Sequence, residues 1–387
     1  LLKKVLIQGP LLSQSGYGVH SRQVFRSLLN RKDIDLYVKV TSWGETSWLI
    51  NDNLQKDLIN NIVLLANKKN SSFNISYQIG LPHEWINISP INIGITAGFE
   101  TNIVKKSWID NVNSMTKVIV PSEFTKRAFV NTSNLFGINI QTPIEVINEA
   151  YYDYFEDDHK SVINIDEKLK YDKNILIMGQ ITSNEDISDR KNTYKTLKTA
   201  IDFVKDKDIG VLLKVNTGKY SLLEKNILLD NIKKRFSLKE REKIQLIFGN
   251  VSIEELYDLY NCKKISCFLS GTRGEGWGLS FIESAVSGLP IIATNHSAYK
   301  EYLKDSFLGV DYNLKKLDFF SNNFIDENQE PTWAEFCEVS MIECLDKFFD
   351  KETFYKKISL DNKEKIKQNY NISKILKEYN YFFENLL

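Results

Sequence analysis

The chain is poor in cysteine and histidine, with four of each in 387 residues. The cysteines Cys262, Cys267, Cys337 and Cys344 form no Cys-x-x-Cys pair, and the histidines are scattered. A structural zinc site is therefore not expected. An excess of either charge is also missing: 50 Lys and Arg stand against 50 Asp and Glu. A nucleic-acid binder shows a basic excess that neutralises phosphates, so DNA and RNA are not expected partners. The basic cluster Lys233, Lys234, Arg235, Lys239, Arg241 and Lys243 is interleaved with Glu240 and Glu242 and reads as a solvated helix face. No apolar run reaches the length of a membrane span, and a signal peptide is not expected. Free thiols without a leader lead to the expectation of a reducing, cytoplasmic location.

What is present has the balance of a soluble globular protein, 42% hydrophobic and 26% charged. The length suffices for two domains of ordinary size. Apolar runs at Val5–Gln8, Leu36–Val40, Ile91–Thr96, Lys117–Val120 and Ile144–Ile147 predict strands. Helical patterns lie between them at Val19–Leu29, Val104–Ser114 and Glu123–Asn131, the last with Ser122 as its cap. The alternation stops over residues 149–173, which are polar and aromatic without a period. It resumes with strands at Asn174–Gly179, Val211–Val215, Ile244–Phe248, Ile265–Leu269 and Leu289–Ala293. The seam is placed at residues 150–172. Alternating strands and helices predict parallel sheets covered on both faces. Ligands of such sheets sit at the carboxyl ends of the strands, and a crevice between two domains is the expected active site.

The densest chemistry follows the strand Ile265–Leu269. Gly274, Gly276 and Gly278 break the chain before an apolar helical pattern from Leu279 to Val286. Strand, glycine loop and helix start gather backbone N–H groups around an anion. Two carboxylates bracket the loop, Glu275 and Glu283. A carboxylate there is better placed to accept hydrogen bonds from sugar hydroxyls than to hold phosphate. Phosphate donors beside hydroxyl acceptors suit a nucleotide sugar.

Glu275-Gly276-Trp277-Gly278-Leu279, then Glu283-Ser284-Ala285-Val286, then Gly288-Leu289-Pro290-Ile291-Ile292-Ala293 resembles the signature of retaining glycosyltransferases of family 4. The resemblance implies the α/β GT-B fold: two Rossmann-like, doubly wound parallel-sheet domains facing a central cleft. Residues 1–150 would form the acceptor-side domain, joined by the final helix at 368–387. Residues 151–367 would form the nucleotide-sugar domain. The implied activity is that of a retaining hexosyltransferase using a UDP- or GDP-linked donor and a glycan, glycolipid or glycoprotein acceptor. Surface polysaccharide, lipopolysaccharide or other glycoconjugate assembly is the implied setting. Rivals are a sugar-nucleotide epimerase of the same fold and a non-catalytic glycan- or nucleotide-binding protein.

The resemblance also implies roles. Arg190 and Lys191, in Asp189-Arg190-Lys191-Asn192 before the helix Tyr194–Val204, would neutralise the departing diphosphate. Backbone N–H groups of Gly278, Leu279 and Ser280 would assist, with Gly276 in the loop. Glu275 would hold donor-sugar hydroxyls and Glu283 the ribose diol. Many relatives carry Gly-Arg at the strand exit where this chain has Gly179-Gln180, so Arg190 or Arg273 would replace that cation. Gly16 and Gly18, after the first strand, would face the donor from the first domain. Glu100, at the end of Gly94-Ile95-Thr96-Ala97-Gly98-Phe99-Glu100, would start a helix and point toward the cleft, with His83 as a further candidate. Asp33-Ile34-Asp35 and Asp206-Lys207-Asp208 read as turn residues rather than metal ligands. No metal or other cofactor is expected, because the cations stabilise the leaving group instead. The Tyr and Phe of Ile358–Leu387 read as packing rather than membrane docking.

Overall fold

The computed structural model of the chain describes residues 2–49, 52–98, 100–180, 189–216, 222–317, 326 and 329–386. It divides into two compact units. One comprises Leu1–Ala150, Phe320–Thr332 and Tyr370–Leu387; the other comprises Tyr151–Phe319 and Trp333–Asn369.

In the first unit six parallel strands lie in the order β2-β1-β3-β4-β5-β6. They are β1 (Lys3–Gly9), β2 (Ile34–Val40), β3 (Ile75–Ile79), β4 (Ile91–Ile95), β5 (Lys117–Val120) and β6 (Ile144–Val146). Val5, Leu6 and Ile7 are all buried, as a strand covered on both faces requires. Val24, Phe25 and Leu28 of helix Gly16–Leu29 share one core with Ile372, Ile375, Tyr379 and Phe383 of helix Ile372–Glu384. Each such side chain contributes about 1.5–3 kcal/mol of burial. Asn371 caps the last helix by accepting from the Lys374 N–H at 2.9 Å. The segment ending at Thr332 is stitched on by backbone and side-chain bonds, Asn102 N–H to Thr332 O and Ser107 N–H to Asp326 among them.

The second unit repeats the plan, with parallel strands in the order β12-β11-β10-β7-β8-β9. They are β7 (Asn174–Gln180), β8 (Gly210–Asn216), β9 (Ile244–Phe248), β10 (Ile265–Ser270), β11 (Ile291–Thr294) and β12 (Leu308–Val310). Sequence progression reverses between β1 and β3 in the first sheet and between β10 and β7 in the second. The carboxyl ends at these switch points are where ligands of open parallel sheets bind. Both sheets thus have the doubly wound form.

Three local readings differ from the sequence patterns. Strand β3 has polar Ser76 and Gln78 inside it, so its apolar run is broken. Both are nonetheless buried, since Ser76 donates to Asn92 and Gln78 exchanges bonds with the Ile86 backbone. The helix read at Val104–Ser114 shrinks to Trp108–Asn113. The amides of Val104, Lys106 and Ser107 are occupied by Thr132, Gln329 and Asp326 instead. Glu100 consequently sits in a bend and not at a helix start. Asp35 lies within β2 rather than before it, paired with Lys68. The cap expected at Ser122 is present, accepting from the Thr125 N–H at 3.1 Å. Among the described residues no helix is long and apolar enough to cross a membrane.

Candidate active site

The second sheet's switch point brings the two main motifs together. β10 is buried throughout and ends at Ser270. The loop Gly271–Gly278 then leads into helix Leu279–Val286, with Gly278 at φ +94° as its cap. That left-handed backbone suits glycine alone at little cost. Tyr302 fixes the turn by donating to the Gly278 carbonyl at 2.9 Å, and its ring lies 4.8 Å from that of buried Trp277. Leu279 and Ser280, at the helix start, are partly exposed.

Glu275 occupies the centre. Lys191 Nζ lies 2.6 Å from its Oε1 and Arg190 Nη1 lies 2.9 Å from its Oε2. Thr272 donates to Oε1 at 2.9 Å, and Arg190 also donates to the Gly274 carbonyl at 2.7 Å. Burial alone would raise this carboxyl. The two cations and the bonds from Lys191 and Thr272 prevail and hold it down to about 2. Glu275 is thus an anion at neutral pH, buried and held by Arg190, Lys191 and Thr272.

The cations come from the segment after β7. The long loop the sequence places there, residues 181–188, lies outside the described residues. From Asp189 onward the chain is pinned. The Asp189 carboxylate accepts from the Thr193 N–H, and Asn192 adopts φ +52°. Thr193 Oγ1 donates to the Gln180 carbonyl at 3.1 Å and accepts from its N–H at 3.2 Å. A Cβ on Gly179 would stand 2.2 Å from Thr193 Cγ2, so glycine permits the close approach. Arg273 is committed elsewhere. It pairs with Glu335 at 2.7 Å, donates to the Asp189 carbonyl at 2.8 Å and lies over the Trp333 ring. Its own N–H bonds to the Arg190 carbonyl at 2.9 Å. Arg273 therefore ties the β10 loop to the cation segment.

Glu283 is 4% exposed and faces inward from the helix. Tyr260 donates to its Oε2 at 3.2 Å and lies 2.8 Å from Met178 Sδ. Burial pushes this carboxyl up to about 8, against the pull of Tyr260, Lys214 and Lys191. Lys214, in β8, is buried too, and burial pushes its ammonium down to about 8 while Glu283 draws it up. The sequence reading missed Lys214 and Tyr260. Lys214 was findable, as the lone charge in Val211-Leu212-Leu213-Lys214-Val215.

The first unit's candidates gather at the exits of β1 and β4. Gly16 opens helix Gly16–Leu29, and the Gly18 N–H is capped by Ser15 at 3.1 Å. A Cβ on Gly18 would lie 2.0 Å from the Ser13 carbonyl. Between them Tyr17 stacks on Trp43 at 3.8 Å, and its hydroxyl joins Thr96 and the Ala97 N–H, each at 3.0 Å. Burial raises the Tyr17 phenol, and the negative charge of nearby Glu100 adds to the rise. Gly16, Gly18 and Glu100 thus share one edge. His83 is exposed and stacks on Trp108 at 5.9 Å. A cluster the sequence did not suggest lies deeper: His20 Nε2 is 2.8 Å from the Tyr379 hydroxyl and its Nδ1 is 3.5 Å from Glu149.

Residues 228–315 match the family described as glycosyl transferases group 1. Over 294 residues the chain is 23% identical to an uncharacterized protein of Sulfolobus islandicus rod-shaped virus 1, covering 74% of this chain and 70% of that one. Among solved structures, Anabaena HepE in complex with UDP-glucose aligns over 99% of this chain and 100% of its own, with TM-score 0.64 and 10% identity. Staphylococcus aureus TarM, solved with Fondaparinux, alpha-GlcNAc-glycerol and UDP, aligns over 80% of this chain with TM-score 0.51 and 16% identity. This chain spans about half of TarM's length, 55%. The chain has the two-domain α/β fold of GT-B glycosyltransferases, and its residues 228–315 match the group 1 family.

Proposed function

We propose that the chain is a glycosyltransferase that moves a hexose from a UDP- or GDP-linked donor to a hydroxyl of a glycan, glycolipid or glycoprotein. Transfer proceeds with retention at the anomeric carbon and without a divalent metal, in glycoconjugate assembly such as surface polysaccharide or lipopolysaccharide synthesis. One observation carries this reading: buried Glu275 between Arg190 and Lys191 at a sheet switch point, beside a glycine-capped helix start. The group 1 match covers Glu275 and Glu283. HepE with UDP-glucose and TarM with UDP supply the donor class by likeness. The four free cysteines fit a reducing cytoplasm.

In this scheme the donor's C1–O bond breaks and its electron pair leaves with the diphosphate. Arg190 and Lys191, with the N–H groups at Gly278, Leu279 and Ser280, receive that charge. Glu275 accepts from sugar hydroxyls and Glu283 from the ribose. The acceptor oxygen forms the new bond, and its proton passes to the departing diphosphate. No side-chain nucleophile is needed. Catalysis is positioning plus preorganised charge.

The test is Lys191→Ala. Charge on the leaving group grows as the bond breaks, so the contact strengthens in the transition state. The variant should lose kcat on the order of a hundredfold, as when one preorganised donor is removed, with a smaller change in donor KM. An unchanged kcat would make Lys191 only a structural partner of Glu275. Turnover should persist in EDTA; loss in EDTA with recovery on adding manganese would overturn the metal-free scheme.

A further inference from the structure

Ser297 follows β11 with φ +87°, in the left-handed half of backbone space. Glycine is the ordinary occupant of such a position, and a side chain there is strained. Serine is retained all the same, and its hydroxyl has one visible use. Ser297 Oγ accepts from the Glu275 N–H at 2.5 Å and donates to the Glu275 carbonyl at 2.6 Å. The Ala298 N–H reaches the same carbonyl at 3.3 Å. Ser297 is itself buried. Glu275 stands between Gly274 and Gly276, two residues that impose little on the backbone. The direction of its Cα–Cβ bond therefore depends on the bonds that hold its own main chain.

We propose that Ser297 is a positioning residue. Its hydroxyl clamps the main chain of Glu275 and so keeps the carboxylate aimed at Arg190 and Lys191. The backbone strain at Ser297 persists because this clamp outweighs it. The catalytic consequence rests on the glycosyltransferase reading; the clamp itself does not.

Two variants test it. Ser297→Gly removes the hydroxyl and the strain together, whereas Ser297→Ala removes the hydroxyl and keeps the strain. Ser297→Gly should melt below the wild-type temperature, and Ser297→Ala lower still. Hydrogen exchange at the Glu275 amide should accelerate at least about tenfold in both, as expected when a buried hydrogen bond is lost. Turnover of UDP-glucose, UDP-N-acetylglucosamine and GDP-mannose should lose kcat in Ser297→Gly with donor KM nearly unchanged. An unchanged Glu275 amide would overturn the clamp. A Ser297→Gly variant that melts lower but keeps its kcat would make the hydroxyl structural only. If wild type turns over none of the three donors, the glycosyltransferase reading is what fails, and exchange and melting still decide the clamp.

Discussion

Glu275 competes with any phosphate for the same two cations. Arg190 and Lys191 both end on its carboxylate, at 2.9 and 2.6 Å. A nucleoside diphosphate must share them or displace it. Glu275→Gln removes the competing charge and keeps the shape. UDP without a sugar should then bind tighter, by roughly tenfold, about the worth of one charge-assisted hydrogen bond. Sugar transfer should be lost, since the acceptor of sugar hydroxyls is weakened. Calorimetric titration with UDP checks this; weaker binding would show that the carboxylate holds the cations in place rather than competing with them. The sequence exposed the core of this constellation because three spaced glycines and two carboxylates follow an apolar strand. Ser297 and Tyr260 were hidden, because the sequence gives no sign that a serine has positive φ or that a tyrosine donates to a glutamate across a fold.

At the level of elements, the cations owe their place to the contact between β7 and helix Thr193–Val204. Gly179 makes that contact possible, with no side chain to meet Thr193. Gly179→Ala should overpack it and cost roughly 1–3 kcal/mol of stability. It should also shift Arg190 and Lys191, so that UDP affinity falls even in molecules that remain folded. Denaturant unfolding with UDP titration reads both; lost stability with wild-type affinity would show that the helix start does not steer the cations. Strands in continuous apolar runs were legible from the sequence, as was the helix capped by Ser122. What escaped was held by side chains acting for the backbone. β3 buries Ser76 and Gln78 because Asn92 and the Ile86 backbone satisfy them. The stretch before Trp108 stays non-helical because Thr132, Gln329 and Asp326 take its amides. Such partners lie far along the chain and leave no local period.

Across the whole molecule, each unit buries one carboxyl that is pushed up to about 8: Glu149 in the first and Glu283 in the second, both by desolvation. Glu149 sits 3.5 Å from His20, which burial lowers to about 4. Burial therefore favours a neutral pair over an ion pair near neutral pH. Between the ordinary carboxyl value of 4.5 and about 8, folded Glu149 holds a proton that the unfolded chain has released. Stability from the protonated form is complete below 4.5 and is lost as pH rises through about 8. His20 acts at the other end, where the folded state resists a proton between about 4 and 6.5, so stability rises with pH there. Glu149→Gln is neutral at every pH and keeps the shape. Measured by denaturant unfolding, the stability of wild type relative to Glu149→Gln should decline steadily from pH 5 to pH 8. A difference that stays flat would mean that folded Glu149 is ionised beside a neutral His20 and holds no proton beyond those of the unfolded chain.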